Sequence, residues 1–334
     1  MDEFRLLEMK EYRDKIIKKH LILIILSFVI SIILSILYFI SFKYNNSFLF
    51  LFVICLFHSP LYIYILLSEQ KHKTIYQYSM GVTLILIFCY SISILLFIKT
   101  IYYHLFLYFI TLCLYHYAEF FSELLFHFKD LQKDAFLVYQ EKKWVISTVS
   151  SFIEYIIEMF FFQKYKDIKI FFILGLFMTI IGQYFRIAAL FTGKSNFTHK
   201  IQMTKKKNHV LVKHGVYSIC RHPSYFGFFI WSVGIEIMCI NPICIIAFAV
   251  ILFNFFKDRI ETEEKILIRF FGMEYIKYKK NVGTLIPFSN LDKKTEKQNL
   301  KIYLEEHKEE INDQEIINFL NDKEDNTDKN KKNE

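Results

Sequence analysis

Arg259 and Glu263 stand four residues apart in the run Phe256-Lys257-Asp258-Arg259-Ile260-Glu261-Thr262-Glu263-Glu264. On a helix this spacing puts both side chains on one face. The run follows a long apolar stretch, so the pair sits where a membrane helix leaves the bilayer. A guanidinium beside lipid can clamp a carboxylate through two parallel hydrogen bonds, with Glu263 setting its geometry. The same spacing also describes an exposed salt bridge worth roughly 0.3–0.5 kcal/mol.

A second stretch with chemical content runs from His199 to Tyr225 and includes Val210-Leu211-Val212-Lys213-His214-Gly215-Val216-Tyr217-Ser218-Ile219-Cys220-Arg221-His222-Pro223-Ser224-Tyr225. Proline suits the first turn of a helix, where its missing N–H costs nothing. Arg221 and His222 therefore precede a helix N-terminus, whose free N–H groups and positive dipole end attract carboxylate or phosphate. One reading is an anion pocket within a cofactor site, the other a basic and aromatic interfacial anchor. Tyr217 and Tyr225 face the same choice, between a cation held on an aromatic face and a membrane-belt position.

The elements that must carry these residues are apolar. The chain has 334 residues, is 54% hydrophobic and 19% aromatic, and carries 41 Lys+Arg against 33 Asp+Glu, a net charge of +8. Its apolar residues gather into uncharged runs, which excludes a soluble two-domain enzyme, and its aromatic content excludes disorder throughout. A bilayer core needs roughly 20 apolar residues per helix. Spans are expected at 21–42, 48–67, 80–98, 101–126, 144–162 and 169–191, followed by a helical hairpin over 224–256 broken at Asn241-Pro242. The first span follows Lys15, Lys18 and Lys19 with no small-residue cleavage site, so it is expected to be retained.

The fold expected is thus all-α, a polytopic integral membrane protein of about eight transmembrane helices with a C-terminal helical hairpin and cytosolic cofactor-binding segments. Lys- and Arg-rich loops fall on the side of the termini, which makes both termini cytosolic; Lys164, Lys166 and Lys169 are the exception. Three regions follow: N-terminal transmembrane helices (1–126), a core (127–288), and a charged, partly disordered tail (289–334). Because a hairpin returns to its starting side, the stretches around His222 and Arg259 are expected to meet. Glu119, Glu123, Glu154, Glu158 and Arg186 lie at membrane depth, where ionisable residues pair or function. Structural pairing is expected, with Arg186 nearest the cytosolic site.

The nine glycines form neither GxGxxG nor a phosphate loop, HExxH, GxSxG and CxxC are absent, and the six cysteines show no zinc spacing. No metal and no nucleic-acid partner is expected. The sequons at Asn45 and Asn196 are expected to stay unmodified, and Lys205-Lys206-Lys207 to touch anionic headgroups or to solvate their loop.

In order along residues 100–288 come His116-Tyr117-Ala118-Glu119, Gly193-Lys194-Ser195-Asn196-Phe197-Thr198-His199, His214-Gly215-Val216-Tyr217, Arg221-His222-Pro223-Ser224-Tyr225 with Gly227 and Trp231, Asn241-Pro242-Ile243-Cys244, Phe255-Phe256-Lys257-Asp258-Arg259, Glu263-Glu264, Phe270-Phe271-Gly272 with Tyr275, and Pro287-Phe288. This series resembles the isoprenylcysteine carboxyl methyltransferases. The resemblance implies a multi-pass endoplasmic reticulum membrane enzyme that uses S-adenosylmethionine to methylate the α-carboxylate of the C-terminal farnesylated or geranylgeranylated cysteine of CaaX-processed proteins, small GTPases among them. By motif position, cofactor contacts would fall on Gln202, His209, Val210, Leu211, Val212, Tyr217, His222, Pro223, Ser224 and Tyr225. Arg259 and Glu263 would be the catalytic, substrate-side pair.

Methyl transfer to a carboxylate needs positioning rather than a metal, and membrane lipid would be the route for the prenyl chain. Two further enzyme classes share part of the pattern, integral-membrane sterol reductases over Arg-His-Pro-x-Tyr and small phospholipid methyltransferases. A polytopic scaffold or transporter is the non-catalytic alternative.

Overall fold

The computed structural model describes residues 101–127, 135–137, 142–205 and 209–286, with scattered positions between 11 and 22 and between 80 and 95. The expected spans at 21–42 and 48–67, most of that at 80–98, Asn45, Lys206, Lys207, Pro287, Phe288 and the tail lie outside the described residues. Among the described residues every regular element is helical. In chain order they are α1 (Tyr103–Phe126), α2 (Lys142–Phe161), α3 (Lys169–Gly193), α4 (Pro223–Cys239), α5 (Pro242–Phe271) and α6 (Met273–Asn281), with short 3₁₀ turns at Gln163–Tyr165, Lys194–Asn196 and Gly215–Ser218.

Two prolines set the starts of the central helices. Pro223 and Pro242 occupy the first turns of α4 and α5, where a missing N–H is tolerated. α4 ends on Ile240 in the left-handed conformation, φ 55°. α5 ends where Gly272 takes φ 53°, a backbone state that a side chain would strain. Between Pro242 and Gly272 no breaker interrupts the chain, and the Lys, Arg and Glu residues after Phe256 favour helix. α5 accordingly runs for 30 residues, past Phe256 where the expected hairpin ended, and carries Arg259 and Glu263 inside it.

α3 and α4 share the most extensive interface among the described helices, and glycine makes it. A Cβ on Gly182 would stand 2.3 Å from the backbone nitrogen of Trp231, and one on Gly175 would stand 2.2 Å from that of Met238. Gly227 and Gly234 on α4 answer them, so the backbones approach as small residues permit in membrane bundles. Tyr115 stacks on Trp231 across the adjoining seam, ring centroids 4.8 Å apart. α1 and the segment Lys169–Asn196 are long and apolar enough to cross a membrane, and α4 is apolar but shorter. The outward faces of α2, α3 and α5 expose Phe160, Phe161, Ile170, Ile173, Phe177, Ile243 and Ile246, as helices facing lipid do.

The end of α4 and α5 at Asn241 is closed by a buried polar network. The Glu154 carboxylate accepts from the N–H groups of Ile243 (2.7 Å) and Cys244 (2.8 Å), satisfying the open start of α5. Lys166 donates to the carbonyls of Cys239 (2.7 Å) and Ile240 (2.9 Å) and to Oδ1 of Asn241 (2.9 Å), and pairs with Glu158 at 2.5 Å. Glu236 accepts from Ser151 and from Asn241, both at 2.8 Å. Lys166, one of the three lysines that broke the expected charge pattern, is thus a buried cap on α4 and no free surface charge.

Candidate active site

The opposite end of α4 opens into a cleft that is partly continuous with solvent. Its walls come from three places: the loop after α3, the segment leading into α4, and the far half of α5 with α6. Every residue that the motif positions assigned to a cofactor lines it, from Gln202 and His209 through Val212 to Tyr217 and His222 through Tyr225. Glu263 lines it as well, and Arg259 stands just behind Tyr225.

The extended segment His209–Val212 is held by Asn196, whose side-chain oxygen accepts from the Val210 N–H at 2.9 Å. The amide of that sequon is therefore built into the cleft wall. His222 stacks on Tyr225 with ring planes 1° apart, and Tyr225 stacks in turn on Phe256. This column fixes the Tyr225 hydroxyl, which donates to Glu263 Oε2 at 2.7 Å and accepts from Arg259 Nε at 2.8 Å. Arg259 and Glu263 share one helix face as their spacing required. Tyr225 mediates between them, since the described residues show no direct ion pair. Arg259 Nη2 donates to the His199 carbonyl, and its cation lies 5.5 Å from the Tyr225 ring centre. Nη1 of Arg259 makes no hydrogen bond among the described residues.

Arg221 has a different task from the anion pocket envisaged for it. Its Nε and Nη2 meet Glu264 Oε1 at 2.9 and 2.8 Å, and Nη1 donates to the carbonyls of Lys279 and Val282. Lys279 adds a contact to Glu264 Oε2 at 2.6 Å. Burial by itself would raise the Glu264 carboxyl; its hydrogen bond with His222 and the charges of His222, Arg221 and Lys279 outweigh that and hold it well below the usual carboxylate range. The cluster straps α6 and the following segment against the entry to α4, with His222 Nε2 3.4 Å from Glu264 Oε1 and Nδ1 3.7 Å from Glu263 Oε2. Cys220 beside it is no nucleophile. Burial pushes its thiol up to about 12, and its Sγ donates to the Thr284 carbonyl.

Glu264 was not singled out from the sequence. The signal was present, because Ile260, Glu264 and Ile268 recur every four residues and all three are buried. Phe270, Phe271 and Tyr275 also line the cleft, contributing aromatic surface that a motif reading had treated only as family markers. Lys205 departs from its expected role: it donates to the Phe270 carbonyl at 2.6 Å and sits over the Phe271 ring, capping α5. On the bundle side, Arg186 donates to Glu119 at 2.5 Å and to the Ser224 hydroxyl at 2.6 Å, the pairing expected of buried charges.

The family model of the isoprenylcysteine carboxyl methyltransferases matches residues 173–269, from within α3 almost to the end of α5. A protein-S-isoprenylcysteine O-methyltransferase of Saccharomyces cerevisiae is 41% identical over 167 residues, 47% of this chain and 69% of that protein. One of Arabidopsis thaliana is 42% identical over 149 residues, 45% of this chain and 76% of that protein. The chain belongs to the isoprenylcysteine carboxyl methyltransferase family. It also matches the solved structure of a eukaryotic intramembrane Ras methyltransferase of this family, with 34% identity and a TM-score of 0.68, covering 80% of this chain and 96% of that one. The family's all-helical membrane fold is therefore the fold of this chain. The alignment with the Tribolium castaneum family member, 43% identical, takes in 51% of this chain and 61% of the beetle protein's length, and the mouse protein is matched over 56% of its length.

Proposed function

We propose that this chain transfers a methyl group from S-adenosylmethionine to the α-carboxylate of a C-terminal S-prenylated cysteine, giving a methyl ester. One observation carries the reading: the cleft lined by His209–Val212, Tyr217 and His222–Tyr225 ends on the Tyr225 hydroxyl, to which Arg259 and Glu263 are both bonded. Family membership supplies the reaction class, because the curated relatives are named as O-methyltransferases of prenylcysteine proteins.

The residues present fit the donor. Its adenine needs an apolar and aromatic slot with backbone partners, which Phe270, Phe271, Tyr275 and the extended 209–212 segment provide. A sulfonium is favoured by aromatic faces and nearby carboxylate, here His222, Tyr225 and Glu263. Bound there, the donor supplies an electrophilic methyl on a sulfonium whose departure as a neutral thioether needs no acid.

The protein's task is then positioning. Arg259 orients the acceptor carboxylate through Nη1 while Tyr225 and the His199 carbonyl hold its other nitrogens. A single guanidinium edge fixes the acceptor without over-stabilising it, and Glu263 steadies that edge through Tyr225. The prenyl chain stays in the lipid that the apolar outer face of α5 meets, so donor and acceptor approach from water and membrane respectively. This reading includes about eight membrane helices with α4 and α5 as the terminal hairpin, an endoplasmic reticulum membrane location with the cleft and both termini cytosolic, and prenylated CaaX proteins such as small GTPases as substrates.

The test uses the full chain purified in detergent with methyl-labelled S-adenosylmethionine. Base-labile methyl ester should form on farnesylated cysteine and not on its unprenylated counterpart. Protein that binds the donor yet forms no ester on the farnesylated acceptor would overturn the assignment.

A further inference from the structure

Glu119, on α1 and fully removed from solvent, is distant in sequence from both halves of the cleft and connects to each of them. Its Oε1 accepts from Arg186 Nε at 2.5 Å, and Arg186 Nη1 donates to the hydroxyl of Ser224, in the segment where α4 begins. Its Oε2 lies 3.3 Å from His199 Nε2, a close approach that forms no hydrogen bond, and the same nitrogen is 3.3 Å from Glu123 Oε1. The carbonyl of the same His199 receives the Nη2 donor of Arg259. One carboxylate thus has two arms. The first ends on the donor-side wall of the cleft and the second on the acceptor-side guanidinium.

We infer that Glu119 is a positioning residue that sets the register between the two halves of the site. The inference rests on the methyl-transfer reading for what those halves hold. Its physical basis is independent of that reading: a carboxylate in a dry interior interacts strongly with the charges beside it, and it sits on a helix packed in the bundle. Arg186 is braced for this role, its guanidinium lying 5.6–5.8 Å from the ring centres of Tyr115, Phe197 and Phe228. His199 is the weaker arm, since it is carried by a loop and anchored only by its ring and its carbonyl. Displacement of Glu119 would move Ser224 and Arg259 independently, so donor and acceptor would both remain bindable but lose alignment. That predicts a fall in kcat greater than the loss of either binding constant.

Glu119→Gln, which keeps shape and removes charge, should lower kcat by about 10–100-fold, the scale of a sub-ångström to 1 Å misplacement, while the dissociation constant for S-adenosylhomocysteine and the KM for a farnesylcysteine acceptor each rise by only about threefold. His199→Gln, outside the bundle, should reproduce the acceptor-side part alone and leave S-adenosylhomocysteine binding unchanged. Amide hydrogen exchange in ligand-free Glu119→Gln protein should quicken at residues 197–202 and 222–226 and stay slow in the middle of α1. A purely structural role predicts the opposite pattern: lost folded protein, exchange raised throughout α1, and an unchanged kcat for the fraction that folds. That pattern, or a folded variant with wild-type kinetics and exchange, overturns the inference. Wild-type protein that forms no ester sinks the functional reading instead, and the exchange pattern then decides on Glu119 alone.

Discussion

The two ends of the α4–α5 pair are made of similar residues and serve opposite purposes. At the Asn241 end, Glu154, Glu158, Lys166, Glu236 and Asn241 satisfy one another and the exposed backbone of two helix termini. At the His222 end, Arg259 keeps Nη1 donors unengaged and the aromatic column leaves a cleft beside it. Polar groups at membrane depth are costly unless partnered, so a cluster that closes completely is scaffolding. One that stops short of closing has kept capacity for a ligand.

The contrast can be broken most severely at the open end. Arg259→Ala should lower kcat/KM for the farnesylated acceptor by about 10²–10³-fold, as removal of one charge-orienting donor does, with S-adenosylhomocysteine affinity and thermal midpoint close to wild type. Normal turnover would take Arg259 out of the mechanism. The mirror-image change is Lys166→Ala, which strands Glu158 and three acceptors and should cost about 3 kcal/mol of stability. Equilibrium or thermal unfolding in one detergent measures this, and the surviving folded fraction should retain wild-type kcat. An active-site phenotype there would erase the distinction between the ends.

Between these lies Glu264→Gln, expected to lower stability at neutral pH by about 2 kcal/mol. Because the folded carboxyl is held below its ordinary range, its contribution is present above that range and is lost as pH falls through it towards the depressed value. The difference in melting midpoint between wild type and Glu264→Gln should therefore shrink on acidification; a gap that stays constant with pH would rule out the charged strap. His222→Ala should raise the S-adenosylhomocysteine dissociation constant by about tenfold, since it removes the top of the aromatic column. An unchanged constant, measured by calorimetry, would move His222 from the site to the strap. The smallest effect is reserved for Tyr225→Phe, which keeps the stack and deletes the bridging hydroxyl: about a fivefold loss in kcat/KM, the net scale of one typical hydrogen bond, with cofactor affinity retained.

Much of this was legible without coordinates. The helices α1, α2 and α3 followed from apolar runs that each carry one or two charged side chains, the starts of α4 and α5 from Pro223 and Pro242, and the motif positions named residues that come together on one cleft. Glu264 was missed because two adjacent glutamates look alike until the four-residue spacing of Ile260 and Ile268 is used to ask which one faces inward. Loss of hydropathy after Phe256 marked the end of the apolar hairpin, and only the coordinates show that the helix carrying Arg259 and Glu263 is the same unbroken α5. Glycine was read for nucleotide motifs, and its actual use at Gly175 and Gly182 is to bring α3 against α4.

The sequence by itself determined that α1 and α3 are apolar helices, where proline and glycine begin and end the helices around the cleft, and that Arg259 and Glu263 share a face, because each is a local consequence of hydropathy or backbone stereochemistry. Only the tertiary structure decided which charges were already engaged. Arg221 closes on Glu264, Lys166 caps α4, Lys205 caps α5, and Glu119 reaches both Arg186 and His199. Each pairing joins residues far apart in the chain, so their partners are set by how the helices pack.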